Sequence, residues 1–417
     1  MLRRAFLFLI GTLTLAGCGG QNVPYGGYQP QSITSTPRPG GAPGRSGSGR
    51  VVILLPLSGP LGNLGPPMLQ AAQLALPPGG GPTLESKDTG GTPEGAAAAA
   101  KAAIAEGAGL ILGPLTSAET AAVAPIAREA GIPVLAFTNA SSQGQPGVWT
   151  LGITPAQQVR RLVAAAQVQG KTQFAALVPD TDFGRALADA LTEACASAGL
   201  PPPTVRLHGT GMAAISTATR EIADYGSRRG PIDARIKAAR AQHDADGRRE
   251  AAQLARSSVP PPPFNALLIG AVREDLQLLA SVLPYYDVYG SQVQFMGPAL
   301  WAVPSSGAAA MQGAWFAAPD SAARAPLEQA YSAKYNVPPP PLADLSFDAA
   351  SIARVLASQG GFSTAALTQP AGFAGVDGWL ALEPNGHVRR GLAVFRIERG
   401  GPAIVEPAPQ SSSVPGT

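Results

Sequence analysis

Short apolar runs alternate with stretches of helical periodicity along the middle of the chain. The first run, VVILLPL at residues 51–57, is continuous and rich in β-branched residues, which is typical of a strand covered on both faces. Predicted strands are 51–57, 83–88, 109–113, 132–137, 172–178, 203–207 and 266–270, and predicted helices are 68–76, 93–106, 117–130, 156–169, 184–198 and 273–283. Strands separated by helices at this spacing predict right-handed βαβ units and parallel sheets.

The number of these units predicts more than one core. The chain has 417 residues, of which 45% are hydrophobic and 14% charged, enough for two cores of ordinary size. Two sets of alternating strands and helices follow one another. We therefore predict an α/β fold built of two doubly wound, three-layer lobes.

Both ends of the chain differ in composition from this middle. Residues 21–50 are mostly Gly, Pro, Ser, Gln and Thr, and cannot bury enough apolar surface to offset the entropy of ordering them. We expect residues 18–50 to form a disordered, semi-extended tether, and residues 406–417 a disordered tail.

The first residues have the pattern of a secretory signal. Arg3 and Arg4 precede an apolar run over 5–16, which is too short to span a bilayer stably. Leu-Ala-Gly at 15–17, followed by Cys18, resembles the lipobox of bacterial lipoproteins. We predict a signal peptide at 1–17 and a lipid on Cys18; the alternative is an ordinary secretory signal with an incidental cysteine. Gly19 stands where an inner-membrane retention signal has aspartate. The expected location is the periplasm, with the outer membrane favoured.

Charge, cysteine and histidine content exclude several classes of function. The 30 basic and 27 acidic residues leave a net charge of +3, and 6% of residues are aromatic, so nucleic acid is not an expected partner. Once Cys18 is acylated, Cys195 is the remaining cysteine, and its helical context predicts a small buried hydrophobe. His208, His243 and His387 have no metal-ligand spacing. No Gly-x-Ser-x-Gly or P-loop motif is present, so we predict no enzyme, cofactor or metal.

Polar residues follow the predicted strands of the first set, and this is where a ligand is expected. The candidates are Ser58, Thr116, Ser117, Thr138, Asn139, Ser141 and Ser142. Their hydroxyl and amide groups can hold an anionic group. The alternative is that they are helix N-caps, which Ser and Thr favour at strand-to-helix turns.

Several motifs resemble a known family between about Val51 and Ile404. LLPLSGP at 54–60, KDT at 87–89, GPLTS at 113–117 and GIPV at 131–134 resemble the periplasmic binding proteins of the leucine/isoleucine/valine type. A second group is similar to the lipoprotein activators of class A penicillin-binding proteins: GITP at 152–155 with Gln158 and Arg161, VPD at 178–180 with FG at 183–184, FDA at 347–349, GVDG at 375–378 and GHVRRG at 386–391.

The resemblance implies a type 1 bilobal fold in which the chain crosses three times between the lobes. The crossings are expected at 152–154, near 297–298 and after 358. Lobe 1 would then comprise 51–153 and about 300–358, and lobe 2 would comprise 154–299 and about 359–405. The cleft between them would be the ligand site, with hinge closure as the available motion.

The same resemblance argues against a free amino acid as ligand. In the transporters an acid that binds the ammonium group follows a Met-Gly-Pro run, whereas here Met-Gly-Pro at 296–298 precedes Ala299. The aromatic positions are also changed, with Leu64, Phe183 and Arg273 in their place; Phe183, Arg273 and Trp301 complete the cleft candidates. An activator of a class A penicillin-binding protein is therefore the preferred function. The alternative is the substrate-binding protein of an ABC importer for amino acids or a small anion.

Residues 220–256 form an unusual segment in which arginines alternate with acids. One interpretation is a solvated helical face with ion pairs worth a few tenths of a kcal/mol each. The hypothesis that concerns function is a protruding docking surface, because arginine is common at protein interfaces.

Overall fold

The computed structural model describes residues 49–79 and 81–411. The predicted signal peptide, the lipidated Cys18, most of the tether and the end of the predicted tail lie outside the described residues. Among the described helices, none combines the length and the apolar character that crossing a membrane requires.

Lobe 1 begins with a five-stranded parallel sheet in the order β2-β1-β3-β4-β5. Its elements are β1 (Arg50–Leu55), α1 (Gly65–Ala75), β2 (Thr83–Asp88), α2 (Pro93–Ala105), β3 (Leu110–Leu112), α3 (Ser117–Ala130), β4 (Val134–Ala136) and β5 (Val148–Thr150). One face of the sheet packs against the alanines of α2 and α3. The other packs against α1 and later elements. Burial on both faces is the reason that β1 reads as a continuous apolar run.

Lobe 2 follows as a seven-stranded sheet in the order β15-β14-β10-β9-β8-β6-β7. Its first elements are α4 (Pro155–Val168), β6 (Phe174–Pro179), α5 (Asp182–Ser197), β7 (Thr204–His208), α6 (Met212–Ile222), α7 (Tyr225–Arg240), α8 (Ala245–Ala255), β8 (Ala266–Ile269), α9 (Arg273–Tyr285), β9 (Gln294–Gly297) and β10 (Trp315–Ala318). Helices α4 and α5 cover one face, and α6 and α9 the other.

The chain then returns to lobe 1 and finally to lobe 2. The remaining elements are α10 (Ser321–Tyr335), α11 (Ala343–Ser358), α12 (Thr364–Leu367), β11 (Phe373–Gly375), β12 (Gly378–Leu382), β13 (Val388–Arg390), β14 (Ala393–Glu398) and β15 (Gly401–Glu406). Strands β11, β12 and β13 form a small antiparallel sheet whose apolar residues join the lobe 1 core with α11. Strands β14 and β15 complete the lobe 2 sheet in antiparallel orientation.

The predicted fold class is confirmed: each lobe has helices on both faces of a largely parallel sheet. The predicted helix 117–130 coincides with α3 and the predicted strand 83–88 with β2, and the other predicted elements differ at their ends by a few residues. Capping residues explain why both ends of α3 could be predicted from the sequence. Thr116 and Glu119 form a capping box at its start, and Gly131 ends it in the left-handed conformation.

The second and third crossings lie later in the chain than expected. Residues 300–318 stay in lobe 2, because β10 pairs with β9 and Trp301, Ala308 and Met311 pack into the lobe 2 core. The second crossing is therefore at 319–320. Residues 359–390 belong to lobe 1, because β11 to β13 pack with α11, and the third crossing is at 391–392. The expected boundaries near 299 and 358 are corrected accordingly.

The expected tail also begins later than residue 406. Glu406 is the last residue of β15, and its carboxylate forms an ion pair with Arg161 at 3.0 Å. The Pro407 carbonyl accepts a hydrogen bond from the same guanidinium at 3.2 Å, and Ala408 is buried. These contacts hold the segment that follows β15 against α4.

Candidate functional site

A cavity of about 720 Å³ lies between the two lobes at the hinge. Its walls come from the carboxyl ends of β3, β4 and β10, from the first two crossings, from the start of α11 and from the turn between β11 and β12. The residues that line it include Thr116, Ser117, Thr138, Asn139, Ala299, Ala302, Val303, Ala318, Pro319, Asp320, Arg324, Asp344 and Asp377. A volume of this size is within the range of small-molecule sites.

The lobe 2 wall of the cavity is apolar. It consists of Ala299, Ala302, Val303, Ala318 and Pro319. The backbone N–H of Ala299 is already donated to Gln158 Oε1 at 2.7 Å. Lobe 2 therefore presents a hydrophobic surface to a ligand and no charged side chain among the described lining residues.

The hydroxyls on the lobe 1 wall are partly engaged in caps. Thr116 Oγ1 accepts from the Glu119 N–H at 3.2 Å, and Glu119 Oε2 accepts from the Thr116 N–H at 2.9 Å. Glu119 is fully buried, and its Oε1 accepts from Thr89 Oγ1 at 2.5 Å. Thr138 Oγ1 accepts from the Ala140 N–H at 3.1 Å. The capping alternative thus describes Thr116, and a carboxylate already occupies the amino end of α3.

Asp320, Arg324 and Asp344 line the cavity on the α10–α11 side, and Asp320 is the N-cap of α10. Arg324 on α10 donates from Nε to Asp344 Oδ2 at 2.6 Å and from Nη2 to the Pro339 carbonyl at 2.8 Å, and its Nη1 pairs with Glu328. Asp344, in the first turn of α11, is buried, and burial raises its pKa to about 6. Within the described residues, Asp344 Oδ1 has no hydrogen-bond partner.

A second buried cluster lies directly behind this wall. Arg390 at the end of β13 is 3.9 Å from Asp348 on α11 and 3.8 Å from Asp377 in the β11–β12 turn. Asp348 Oδ1 accepts from the Val376 N–H at 2.7 Å. Burial raises the pKa of Asp348 to about 7, with a further increase from Asp377 that Arg390 opposes. Burial also raises the pKa of Asp377, which lines the cavity.

Buried side chains tie the crossings together. Arg390 Nη2 donates to the Leu151 carbonyl at 2.7 Å, which joins the third crossing to the first. On α4, Gln157 Nε2 donates to the Val388 carbonyl at 2.6 Å, and Arg161 Nε donates to the Leu392 carbonyl at 2.9 Å. With Gln158, which accepts from Ala299 in the segment after β9, these residues form a brace that connects α4 to this segment and to the third crossing.

The structure brings together four of the predicted cleft residues. Thr116, Ser117, Thr138 and Asn139 line the cavity. Ser58 and Ser141 lie elsewhere: Ser58 Oγ donates to Asp88 Oδ2 at 2.5 Å, and Ser141 is exposed in a short helical turn.

The three lobe 2 candidates also lie away from the cavity lining. Phe183 packs against the lobe 2 core beside α4 and α5. Arg273 begins α9 with a φ of 58°. Trp301 is buried, donates from Nε1 to the Ala271 carbonyl at 2.9 Å, and lies over the backbone of Gly297. Trp301 therefore fills the core behind the apolar wall.

The charged residues of the site were not among the predicted ones. Asp348, Asp377 and Arg390 occur in the sequence motifs FDA, GVDG and VRR, which signalled only a resemblance. Arg324 and Asp344 had no signal, because they meet across a loop of irregular sequence. Cys195, in contrast, is buried as predicted, and burial raises its thiol pKa to about 11. No group of side chains in the described residues has a geometry suited to a metal ion.

Solved structures with the same fold include transport and regulatory proteins. A protein of Rhodospirillum rubrum assigned to a branched-chain amino acid ABC transporter is 20% identical, covers 85% of this chain and 99% of its own, and has a TM-score of 0.62. The C-domain of LpoA from Haemophilus influenzae, a regulator of PBP1A, is 17% identical over 85% and 99%, with a TM-score of 0.60. A solute-binding protein of an ABC transporter from R. palustris, solved with benzoate, is 16% identical over 88% and 99%, with a TM-score of 0.51.

Sequence comparison agrees on the family. Curated protein sequences gave no match. The model of the periplasmic binding protein family matches residues 49–402, which span both lobes and all three crossings. The chain therefore belongs to the periplasmic binding protein family.

Proposed function

We propose that this protein is a non-enzymatic, lipid-anchored periplasmic protein that regulates peptidoglycan synthesis by binding a class A penicillin-binding protein. The observation that carries the proposal is the apolar lobe 2 wall of the cleft. A receptor that closes on an amino acid needs polar groups on both lobes, because an unpaired ion in a closed cleft costs several kcal/mol. Here the lobe 2 residues Ala299, Ala302, Val303 and Ala318 offer no polar side chain.

The brace supports the same proposal. Gln157, Arg161 and Arg390 donate hydrogen bonds from buried side chains to the ends of the crossings, and Gln158 accepts one from Ala299. The bonds of Arg161 and Arg390 are charge-assisted and worth about 1.5–3 kcal/mol each, and the neutral bonds of the two glutamines are worth about 0.5–1.5 kcal/mol each, so movement of α4 relative to the crossings is opposed. A protein that presents one surface to a partner benefits from a fixed angle between its lobes. Regulation would then follow from binding one state of the synthase more tightly than another.

The surface that we assign to this partner is the arm, residues 225–256, formed by α7 and α8. The arm is an addition to the βαβ pattern and has a small core of its own, formed by Ile236, Ala239, Ala251 and Leu254. It carries eight basic and four acidic side chains. Arg229 and Arg249 are paired with acids within the arm. Arg235, Arg240 and Arg248 are exposed and form no ion pair within the described residues.

The test measures the rate of glycan polymerisation by a purified class A penicillin-binding protein of the same organism. The rate is compared with and without the mature protein. We expect a higher rate, and loss of most of the effect when Arg235, Arg240 and Arg248 are changed to Glu. The matched control changes Lys101, Arg354 and Arg399 to Glu, which alters net charge equally on exposed positions outside the arm. Absence of binding and of any rate change with every class A enzyme of the organism would refute the proposal.

The cavity supports a second candidate, a solute-binding protein of an ABC importer. A volume of about 720 Å³ is large enough for an amino acid or a small anion. Thermal unfolding in the presence of amino acids and small anions discriminates between the two functions. Stabilisation that rises with ligand concentration favours the importer, whereas no shift at millimolar concentrations favours the regulator.

A further inference from the structure

We propose that the cavity binds a small organic amine with an apolar body, and that Asp344 and Asp377 hold its ammonium group. This inference concerns the ligand of the cavity alone. It applies whether the protein regulates a synthase or delivers a solute.

The charge of the Arg324 guanidinium is already balanced by two protein carboxylates, and each of its three nitrogens donates a hydrogen bond within the protein. Arg324 donates hydrogen bonds from Nε to Asp344, from Nη1 to Glu328 and from Nη2 to the Pro339 carbonyl. An anionic ligand at this guanidinium would lie beside the negative charges of Asp344 and Glu328. Their repulsion makes Arg324 a poor site for a ligand anion.

The amino end of α3 is also unsuited to an anion, although helix amino ends of this kind often bind one. The carboxylate of Glu119 reaches back to the Thr116 N–H and lies fully buried there. A second negative charge at this helix end would be repelled by the first. The hydroxyls of Ser117 and Thr138 remain as neutral groups beside it.

On the opposite side of the cavity, the carboxylates of Asp344 and Asp377 are incompletely paired. Asp344 Oδ1 has no partner within the described residues, although the residue is only 4% exposed. Asp377 is 7% exposed, and its carboxylate is 3.8 Å from Arg390, beyond hydrogen-bond distance. An ammonium group has three donors and no acceptor, which suits two such carboxylates.

The apolar lobe 2 wall indicates that the rest of the ligand is apolar. Ala299, Ala302, Val303, Ala318 and Pro319 would contact a hydrocarbon chain or ring. A zwitterion is disfavoured, because its carboxylate would face either this apolar wall or the Glu119 end of α3. An amine without a carboxylate meets complementary groups on both sides.

The experiment compares three ligands of one shape on the mature protein by isothermal titration: hexylamine, 1-hexanol and hexanoate. We expect hexylamine to bind at least tenfold more tightly than the other two at pH 7.5. Binding of hexanoate or hexanol equal to that of hexylamine, or no binding of hexylamine at millimolar concentration, would overturn the proposal.

Variants locate the ammonium group. We expect Asp377→Asn and Asp344→Asn each to weaken hexylamine at least tenfold, while hexanol binding changes less than threefold. Asp233→Asn, an exposed acid of the arm, is the matched control and should bind hexylamine as the native protein does. Full hexylamine affinity in both cavity variants would contradict the assignment. If either variant fails to fold, the ranking of the three ligands on the native protein still decides.

Discussion

Arg390 shows how a single residue shapes the hinge. Its side chain is almost fully buried, yet it serves three segments that are distant in sequence: Asp348 on α11, Asp377 in the β11–β12 turn and the Leu151 carbonyl before the first crossing. Burying a charge is costly unless it is paired, so these contacts must form together. The consequence is that the hinge is held by electrostatics rather than by apolar packing alone.

A second case at the residue scale is Gly297, where the neighbouring Trp301 ring leaves no room for a side chain. A Cβ added there would lie 2.3 Å from the Trp301 ring, and the ring is fixed by the core and by the Ala271 carbonyl. We expect Gly297→Ala to lower the free energy of unfolding by about 1–3 kcal/mol, the usual cost of overpacking. Urea unfolding measures this.

The control is a glycine with space around it. Gly230 in α7 has no atom within 4 Å of an added Cβ. Gly230→Ala should be neutral or stabilise by about 0.5–1 kcal/mol, because alanine loses less backbone entropy in a helix. Equal effects of the two substitutions would show that Trp301 can move.

At the scale of elements, the arm packs around a core of its own beside lobe 2. Its core is small, and its attachment depends on Arg228, which donates to the carbonyls of Pro260, Ala223, Tyr286 and Asp287. Arg228 therefore has a structural role, whereas Arg235, Arg240 and Arg248 are exposed and form no ion pair within the described residues. The predicted docking segment thus contains arginines of both kinds.

We expect Arg228→Ala to loosen the arm more than the rest of lobe 2. Four carbonyls would lose a charged donor, at a cost of roughly 2–4 kcal/mol to the attachment. Hydrogen exchange should rise within 225–256 and remain unchanged in β6 and β8. Arg235→Ala, which removes an exposed arginine, should change neither region, and uniform exchange throughout lobe 2 in the Arg228 variant would contradict this account.

At the scale of the whole molecule, the buried carboxyl groups of Asp344 and Asp348 make stability depend on pH. Burial raises the pKa of Asp348 to about 7 and that of Asp344 to about 6 in the folded protein. The unfolded chain has ordinary carboxyl pKa values near 3.8. Between these limits the folded state binds more protons than the unfolded state, so the free energy of unfolding falls as pH rises.

We therefore expect the protein to be more stable at pH 5 than at pH 8, by on the order of 1–3 kcal/mol, with the change complete a little above pH 7. Urea unfolding across this range measures it. Asp348→Asn should flatten the dependence, because asparagine does not titrate. Asp182→Asn, at an exposed position of α5, should leave the slope unchanged. A native protein that gains stability from pH 5 to pH 8 would contradict the prediction.

Much of the fold could be predicted because its signals are local. Apolar runs mark β1, β6 and β8, and a capping box together with a left-handed glycine delimits α3. The lobe boundaries could not be predicted in the same way. Residues 300–318 have no clear periodicity, and only pairing of β10 with β9 and β14 assigns them to lobe 2.

The cavity residues were predictable or not for the same reason. The polar residues at the ends of β3 and β4 could be predicted, because parallel strands end at one edge of a sheet. Side chains that follow strands of lobe 2 were equally plausible candidates, yet Trp301 turned into the core. The sequence analysis did not predict Arg324, Asp344 and Asp377 as cavity residues, because they come from three separate segments.

By itself the sequence determined the element order, the two-lobed α/β class and the strand ends where a ligand is expected, since these depend on apolar periodicity and on turn residues that act within a few positions. Only the tertiary structure decided where the chain crosses between lobes and which charges face the cavity. Long-range strand pairing and the pairing of buried ions depend on residues that are far apart in the chain, and no local pattern encodes such distances.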